Sequence, residues 1–368
     1  MSPNRAEVLV LGGPRSLEPR SIPIPETGRD DGILRVEACG LCGTDHEQYT
    51  GHITAPFGFV PGHEVIGIVE RAGDQAQKRW GVKEGDRVAV EVFLSCRECQ
   101  MCLTGEYRRC INNGLRHMYG FIDVESEPGL WGGYATHLYL APDAMLLPVP
   151  DGLDPVIATV FNPLGAGIRW GAVVPGTKNG DVVAVLGPGI RGLCTAAAAK
   201  EAGAEFVMIT GVGPRDVPRL DLASQFGVDL AVDITTQDPA RALKEATGGL
   251  ADVVVDVTAN APAAPGQAIR LARPAGTVVL AGTRGSIDAI GFNPDIVVFK
   301  ELRILGALGV DAPAYMEALS LLASGKYPFG SLPRRVAGLG DVEALVETMA
   351  GEGSDEIPVH GVFAPETR

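Results

Sequence analysis

The sequence predicts a two-part α/β chain, a β-rich first domain followed by a doubly wound parallel sheet. Three observations lead to that class. The chain has 368 residues, more than one ordinary core organises. Its first 150 residues hold short apolar strands separated by Gly and Pro turns. From Asp181 onward, apolar strands alternate with helix-length segments, which is how a parallel sheet covered by helices on both faces is written.

In the first part Ile33–Ala38, Val65–Glu70 and Arg87–Val92 read as the clearest strands, spaced for a compact barrel or sandwich. In the second, strands are expected at Val182–Leu186, Phe206–Thr210, Leu230–Asp233, Asp252–Val257 and Thr277–Ala281. Arg191–Ala202 and Pro218–Phe226 are expected as helices between them. Arg303–Leu308 reads as a further strand, Ala312–Ser324 and Asp341–Ala350 as helices, and Ile357–Phe363 as a closing strand. The domain limits follow: 1–156, 157–299, and 300–368 for the last strand of the second domain and a return to the first.

Composition narrows the function. A net charge of −14 with no basic stripe argues against a nucleic-acid partner. No apolar run approaches the roughly 18 residues of a membrane span. The start, Met1 to Glu7, lacks the charged-then-apolar plan of a secretion signal. Seven cysteines, four of them crowded between Cys96 and Cys110, follow metal spacing rather than a disulfide framework, so a reducing cytoplasm is expected.

The strongest motif is Cys96-x2-Cys99-x2-Cys102-x7-Cys110. Four thiolates at these spacings close a tetrahedral zinc site with no open position, which makes it structural. An iron–sulfur cluster competes, but no proline follows the fourth cysteine and the last spacing is long.

Next comes Gly187-Pro-Gly189-Ile190-Arg191-Gly192, set between an apolar strand and an alanine-rich helix. Gly187 makes the tight turn, Gly189 lets the backbone approach a pyrophosphate, and Gly192 lets helix pack on strand. With Ile190 and Arg191 opening the helix, its N-terminal amides form the expected phosphate cradle of a dinucleotide cofactor.

The third is Gly40-Leu41-Cys42-Gly43-Thr44-Asp45, answered by Pro61-Gly62-His63-Glu64. A thiolate, an imidazole and a carboxylate suit an open zinc site. Thr44 is expected to set a hydroxyl beside whatever else the metal binds, and Asp45 to orient the His63 ring.

Together with Lys300-Glu301-Leu302 before the last parallel strand, these motifs resemble the zinc-dependent alcohol dehydrogenases of the medium-chain dehydrogenase/reductase family over nearly the whole chain. The resemblance implies a GroES-like catalytic domain, a Rossmann domain and an active site in the cleft between them. It also implies a homodimer or homotetramer, two zinc ions per chain, and hydride transfer between an alcohol and NAD(P). Cys42, Thr44, His63 and Glu64 become the catalytic candidates. Two positions depart from the family pattern. Where a Cys, Glu or Asp usually supplies the third catalytic ligand, this chain has Asn162, whose neutral amide is a poor substitute for an anion; Glu64, which swings to the metal in relatives, is the alternative ligand. Five residues after Cys42, where many relatives carry a relay histidine, stands Glu47, and the adjacent His46 is expected to point elsewhere.

The competing reading from another class is a non-catalytic nucleotide-binding scaffold whose metal site Asn162 has disabled. Among enzymes, a sugar or polyol dehydrogenase competes with a simple secondary-alcohol dehydrogenase. Cofactor choice turns on the second parallel strand. Its end, where NAD-binding domains carry an acid for the ribose 2′-OH, is Gly211, with Arg215 and Arg219 following. Loss of the acid and gain of two arginines lean toward NADP(H) over NAD, with Asp216 reaching back awkwardly as the NAD alternative.

Overall fold

A computed structural model of the chain describes residues 4–53, 57–285, 287–352 and 356–367. The chain divides into two units, Met1–Phe161 with Leu322–Ser324 and Phe329–Arg368, and Asn162–Leu321 with Gly325–Pro328.

The first unit begins with the hairpin β1 (Arg5–Gly13) and β2 (Ser16–Pro23). Strand β3 (Gly32–Leu41) leads into helix α1 (Gly43–Tyr49), then come β4 (Glu64–Ala72), α2 (Asp74–Trp80) and β5 (Arg87–Val90). The cysteine-rich stretch contributes the single turn α3 (Gln100–Leu103), followed by β6 (His137–Leu140), β7 (Leu146–Pro148) and the turn α4 (Pro155–Ala158). All of β3 except Arg35 and Glu37 is buried, and it is the strand the sheet is built on, pairing antiparallel with β4 and β6. Val36, Cys39, Val65, Val69 and Tyr134 belong to the core that covers it.

Helix α5 (Phe161–Ile168) opens the second unit. Strands β8 (Val182–Leu186), β9 (Phe206–Gly211), β10 (Leu230–Asp233), β11 (Ala251–Asp256), β12 (Ala272–Leu280) and β13 (Arg303–Gly306) form one parallel sheet in the order β10-β9-β8-β11-β12-β13. Between them run α6 (Ile190–Glu201), α7 (Gly213–Leu222), α8 (Pro239–Thr247), α9 (Ala264–Leu271) and α10 (Pro294–Phe299), and α11 (Ala312–Ser324) follows. The strand order reverses between β8 and β11, the place where such sheets bind ligands at their carboxyl ends. Lys300 ties down the end of α9, its Nζ donating to the carbonyls of Ile269, Arg270 and Ala272 at 2.7–3.0 Å. Those carbonyls are the ones a helix end leaves without internal partners. The chain then closes the first unit with β14 (Arg334–Ala337), α12 (Val342–Ala350) and β15 (His360–Phe363), the last pairing with β3 beside Leu41.

Several boundaries move, β12 starting at Ala272 rather than Thr277 and β15 at His360 rather than Ile357, and one shift bears on the site. The second interstrand helix starts at Gly213 rather than Pro218, because Gly213 adopts φ +58° and Pro214 occupies the first turn, where its missing N–H costs nothing. The consequence falls on the cofactor loop.

Candidate functional site

The four cysteines of the lobe meet. Their sulfurs all lie within 4.8 Å of one another, with Cys99–Cys102, Cys96–Cys102 and Cys99–Cys110 separations of 3.5, 3.9 and 4.0 Å. Sulfurs about 2.3 Å from a tetrahedral zinc sit roughly 3.8 Å apart, so this donor set fits the ion. The amides of Cys99 and Asn113 and the side chain of Asn112 donate to the sulfurs at 3.3–3.4 Å. Backbone donation from Ile111 and Cys102 pulls the Cys99 thiol down to about 6, whereas burial, reinforced by the Cys99 sulfur, pushes Cys102 up to about 12. Sulfurs this close ionise together only around a cation.

The second cluster joins two elements. Cys42 caps α1 and His63 immediately precedes β4, and Cys42 Sγ lies 3.4 Å from His63 Nε2. A sulfur and a nitrogen sharing a tetrahedral zinc sit roughly 3.5 Å apart, so this pair fits as well. Gly62 makes the approach possible: it sits at φ +89°, and a Cβ there would press on the Tyr134 ring and the Cys39 sulfur.

Asp45 completes the group, all three donor atoms lying within 4.8 Å. Its Oδ2 accepts the Cys42 amide at 2.8 Å, while its buried Oδ1 has no hydrogen-bond partner among the described residues. Asp45 therefore fixes the backbone of Cys42, and its carboxylate also stands within 4.8 Å of the His63 ring nitrogen. Its charge, after burial, holds the buried Tyr134 hydroxyl well above the ordinary tyrosine range.

Glu64, the expected alternative ligand, lies outside the group. Successive residues entering a strand point to opposite faces, and Glu64 turns its carboxylate onto Gly40, its partner in β3. Thr44 is half-buried in the first turn of α1, and its hydroxyl makes no hydrogen bond among the described residues. His46 points elsewhere, its Nε2 2.7 Å from Glu352, which also takes both terminal nitrogens of Arg15. Asn162, in the second unit, is 4% exposed and donates through Nδ2 to the Tyr315 hydroxyl at 2.9 Å.

The glycine loop has the shape its chemistry needs. Gly187 turns at φ +102°, a Cβ on Gly192 would collide with the Gly187 carbonyl, and a Cβ on Gly189 would meet nothing. Gly189 caps α6, Ile190 opens it, and the Arg191 guanidinium lies over the Trp170 ring. At the neighbouring strand end, buried Asp256 and Arg284 form an ion pair that Thr258 joins, linking the loops after β11 and β12. Sequence reasoning missed this clamp, since Asp256 reads as one more residue of an apolar strand.

At the end of β9 the early start of α7 brings Asp216 back against Gly211, where a Cβ would meet it at 2.9 Å. Asp216 accepts the Val212 amide at 2.9 Å and pairs with Arg219 at 3.3 Å. So Arg219, expected beside a cofactor phosphate, is committed to Asp216, and burial lowers its pKa further than Asp216 raises it. Arg215 remains exposed on the first turn of α7.

Comparison with known proteins agrees with this geometry. Residues 28–151 match the alcohol dehydrogenase GroES-like domain, and residues 192–324 the zinc-binding dehydrogenase domain. A Mycobacterium tuberculosis (strain H37Rv) protein described as "Probable alcohol dehydrogenase adh" is 66% identical over 358 residues, spanning 97% of this chain and 98% of its own. An erythritol/L-threitol dehydrogenase of Mycolicibacterium smegmatis is 30% identical, over 90% of each. A zinc-binding dehydrogenase from Sinorhizobium meliloti 1021, its crystal structure bound to NADP, superposes with a TM-score of 0.84 at 28% identity, covering 98% of this chain and 99% of that one. With its GroES-like and parallel-sheet units, its glycine loop and its zinc-type donor sets, the chain belongs to the zinc-type alcohol dehydrogenases of the medium-chain dehydrogenase/reductase family.

Proposed function

We propose that this protein interconverts a secondary alcohol or polyol and its carbonyl with NADP(H), using two zinc ions per chain. The observation that carries the reading is the 3.4 Å approach of Cys42 Sγ to His63 Nε2, beside the half-buried hydroxyl of Thr44. Cys42 and His63 would hold the reactive zinc, with Asp45 as an anionic neighbour; Cys96, Cys99, Cys102 and Cys110 would hold the structural one. When bound, zinc supplies Lewis-acid polarisation of the substrate oxygen, and the nicotinamide supplies the carbon that exchanges hydride.

The chain's own residues do the rest. Thr44 Oγ1 accepts the proton of the substrate hydroxyl while releasing its own towards solvent, and the relay runs the other way in the reverse direction. Asp45 keeps Cys42 in place through its amide. Glu64 lends negative charge from behind Gly40, and no role at the metal is proposed for Asn162, whose amide nitrogen Tyr315 holds. The α6 N-terminus, with Gly187, Gly189, Ile190, Arg191 and Gly192, receives the pyrophosphate. Asp216 spends both oxygens on Val212 and Arg219, so its charge is compensated, and exposed Arg215 is left to meet a 2′-phosphate.

The polyol option draws support from the erythritol/L-threitol dehydrogenase relative. Assembly into a homodimer or tetramer is proposed through β13, an edge strand that follows Val298 and Phe299, 69% and 84% exposed. Seven cysteines with no disulfide among the described residues support a cytoplasmic setting, and no helix among the described residues is long and apolar enough to cross a membrane.

A panel of secondary alcohols and polyols, each with NADP⁺ and NAD⁺, tests the reading. Turnover of at least one, with higher kcat/KM for NADP⁺ that falls in Arg215→Ala, is the expected result. Zinc-loaded protein inert toward every alcohol would overturn the activity, and an NAD⁺ preference indifferent to Arg215→Ala would overturn the cofactor assignment.

A further inference from the structure

Asp256 ends β11 fully buried, an acid in a strand whose preceding residues Val253, Val254 and Val255 are apolar and buried. Burial pushes its carboxyl above the ordinary value, against the pull of Thr258 and Arg284. Replacing such a buried ion pair with apolar side chains is often neutral or stabilising, so stability alone does not account for it. What a guanidinium fork does supply is fixed geometry.

Arg284 uses that fork to join two loops. Its Nη2 pairs with Asp256, its Nε donates to the Ala261 carbonyl at 3.1 Å, and its Nη1 donates to the Gly282 carbonyl at 2.8 Å. Asp256 in turn accepts the Thr258 amide at 3.0 Å and the Thr258 hydroxyl at 2.6 Å. The loop after β11 then turns through Asn260 at φ +54°, and the Asn260 amide donates to the Thr283 carbonyl at 3.1 Å. A residue other than glycine at positive φ persists where its surroundings fix it.

Thr258 is the residue these contacts place. A Cβ on Gly187, the first glycine of the phosphate loop, would meet the Thr258 methyl at 3.0 Å, and a Cβ on Gly282 would collide with the Thr258 carbonyl. Thr258 therefore stands between the Gly187 turn and the loop after β12. Sheet order gives that place its meaning. A cofactor with its 2′-phosphate at the end of β9 and its pyrophosphate on the loop after β8 crosses the reversal towards β11 and β12.

We propose that Asp256 and Arg284 are positioning residues for the nicotinamide half of the cofactor, holding Thr258 and the two loops beside it ready for binding. The inference rests on the dinucleotide reading above. Without the pair only a fraction of molecules present those loops correctly, and apparent affinity falls by that fraction. The adenosine half, at the end of β9, lies outside the pair's reach.

Calorimetric titration of the zinc-loaded, full-length protein with NADPH and, separately, with 2′,5′-ADP, which carries only the adenosine half, tests this. Asp256→Asn/Arg284→Met removes both charges, so none is left buried and unpaired, and its melting curve without ligand reports folding. This variant should bind NADPH more than about tenfold more weakly than wild type, and 2′,5′-ADP within about twofold. Thr258→Val, which keeps the shape and loses the hydroxyl, should weaken NADPH binding by about fivefold, and it decides the matter if the double variant does not fold. Unchanged NADPH binding in the deciding variant would overturn the proposal. So would equal weakening of both ligands, the mark of a merely structural pair. A wild type that prefers NADH would remove the NADP assignment alone, with NADH and AMP then serving as the probes. Wild-type protein that binds neither dinucleotide would overturn the cofactor reading and this proposal with it.

Discussion

The four-cysteine lobe takes every donor from the fifteen residues Cys96–Cys110, whereas the Cys42–His63 cluster joins residues 21 apart on two elements. The lobe needs only its own turn and the amides within it. The other cluster needs β3 to pair with β4, Gly62 to turn at positive φ, and α1 to sit where Asp45 can hold the Cys42 amide. A local cluster with four thiolates leaves no position open, and a long-range cluster with one thiolate does. The difference suits the first to stability and the second to chemistry, and it predicts that each can be broken without the other.

The largest effect should come from Cys42→Ala. Loss of the sole thiolate in the open cluster is expected to lower kcat/KM by more than about 100-fold, beyond what loss of an outer-shell partner costs. One zinc per chain should remain, and thermal stability should change little. Elemental analysis and melting of the same sample check it; loss of both ions would show that the clusters are coupled.

Chelation should separate them in time. In a titration the ion of the Cys42 cluster is expected to leave first and take activity with it, while the thiolate-bound ion persists. Activity that survives the loss of the first ion, or a fully loaded protein with a single zinc, would remove the distinction.

A smaller effect discriminates between two carboxylates. Asp45 touches the cluster and Glu64 does not. Asp45→Asn should cost about 10–100-fold in zinc affinity or activity, and Glu64→Gln less than about tenfold. The reverse order, measured by competition for zinc with a chromophoric chelator, would mean that Glu64 leaves Gly40 to join the metal.

What the sequence disclosed follows the same division. The lobe was legible because its spacing is its geometry, and the glycine loop because turn, approach and packing each demand a glycine at a fixed offset. Strands of the parallel sheet were legible as apolar runs. Cys42 and His63 could be paired only by donor chemistry, strengthened by the family resemblance, since no local period connects them. The placements of Asp45 and Glu64 could not be read, because the first depends on how the start of α1 is capped and the second on which face of β4 its side chain takes. Arg219 was misplaced for a related reason: the helix after β9 begins five residues early, and that turns Asp216 onto Gly211 and Arg219 onto Asp216.

The smallest effect concerns the long-range support of the open cluster. Glu352, just beyond α12, takes both terminal nitrogens of Arg15 and the ring of His46 on α1, the helix capped by Cys42. These hydrogen bonds, Arg15 first, hold the Glu352 carboxyl down at about 2 against an ordinary 4.5. A carboxyl lowered in the folded state contributes stability that is present above its unfolded value and is lost as pH falls through the folded one. The contribution should therefore fade between about pH 4.5 and 2. The side chain is 30% exposed, so the pair is screened, and Glu352→Gln should lower the melting temperature at neutral pH by less than about 4 °C. Wild type and variant should converge as the pH drops through that window. Curves that stay parallel down to pH 2, or a variant whose alcohol turnover falls as far as that of Asp45→Asn, would show that Glu352 serves the open cluster in some way other than as a distant anchor for α1.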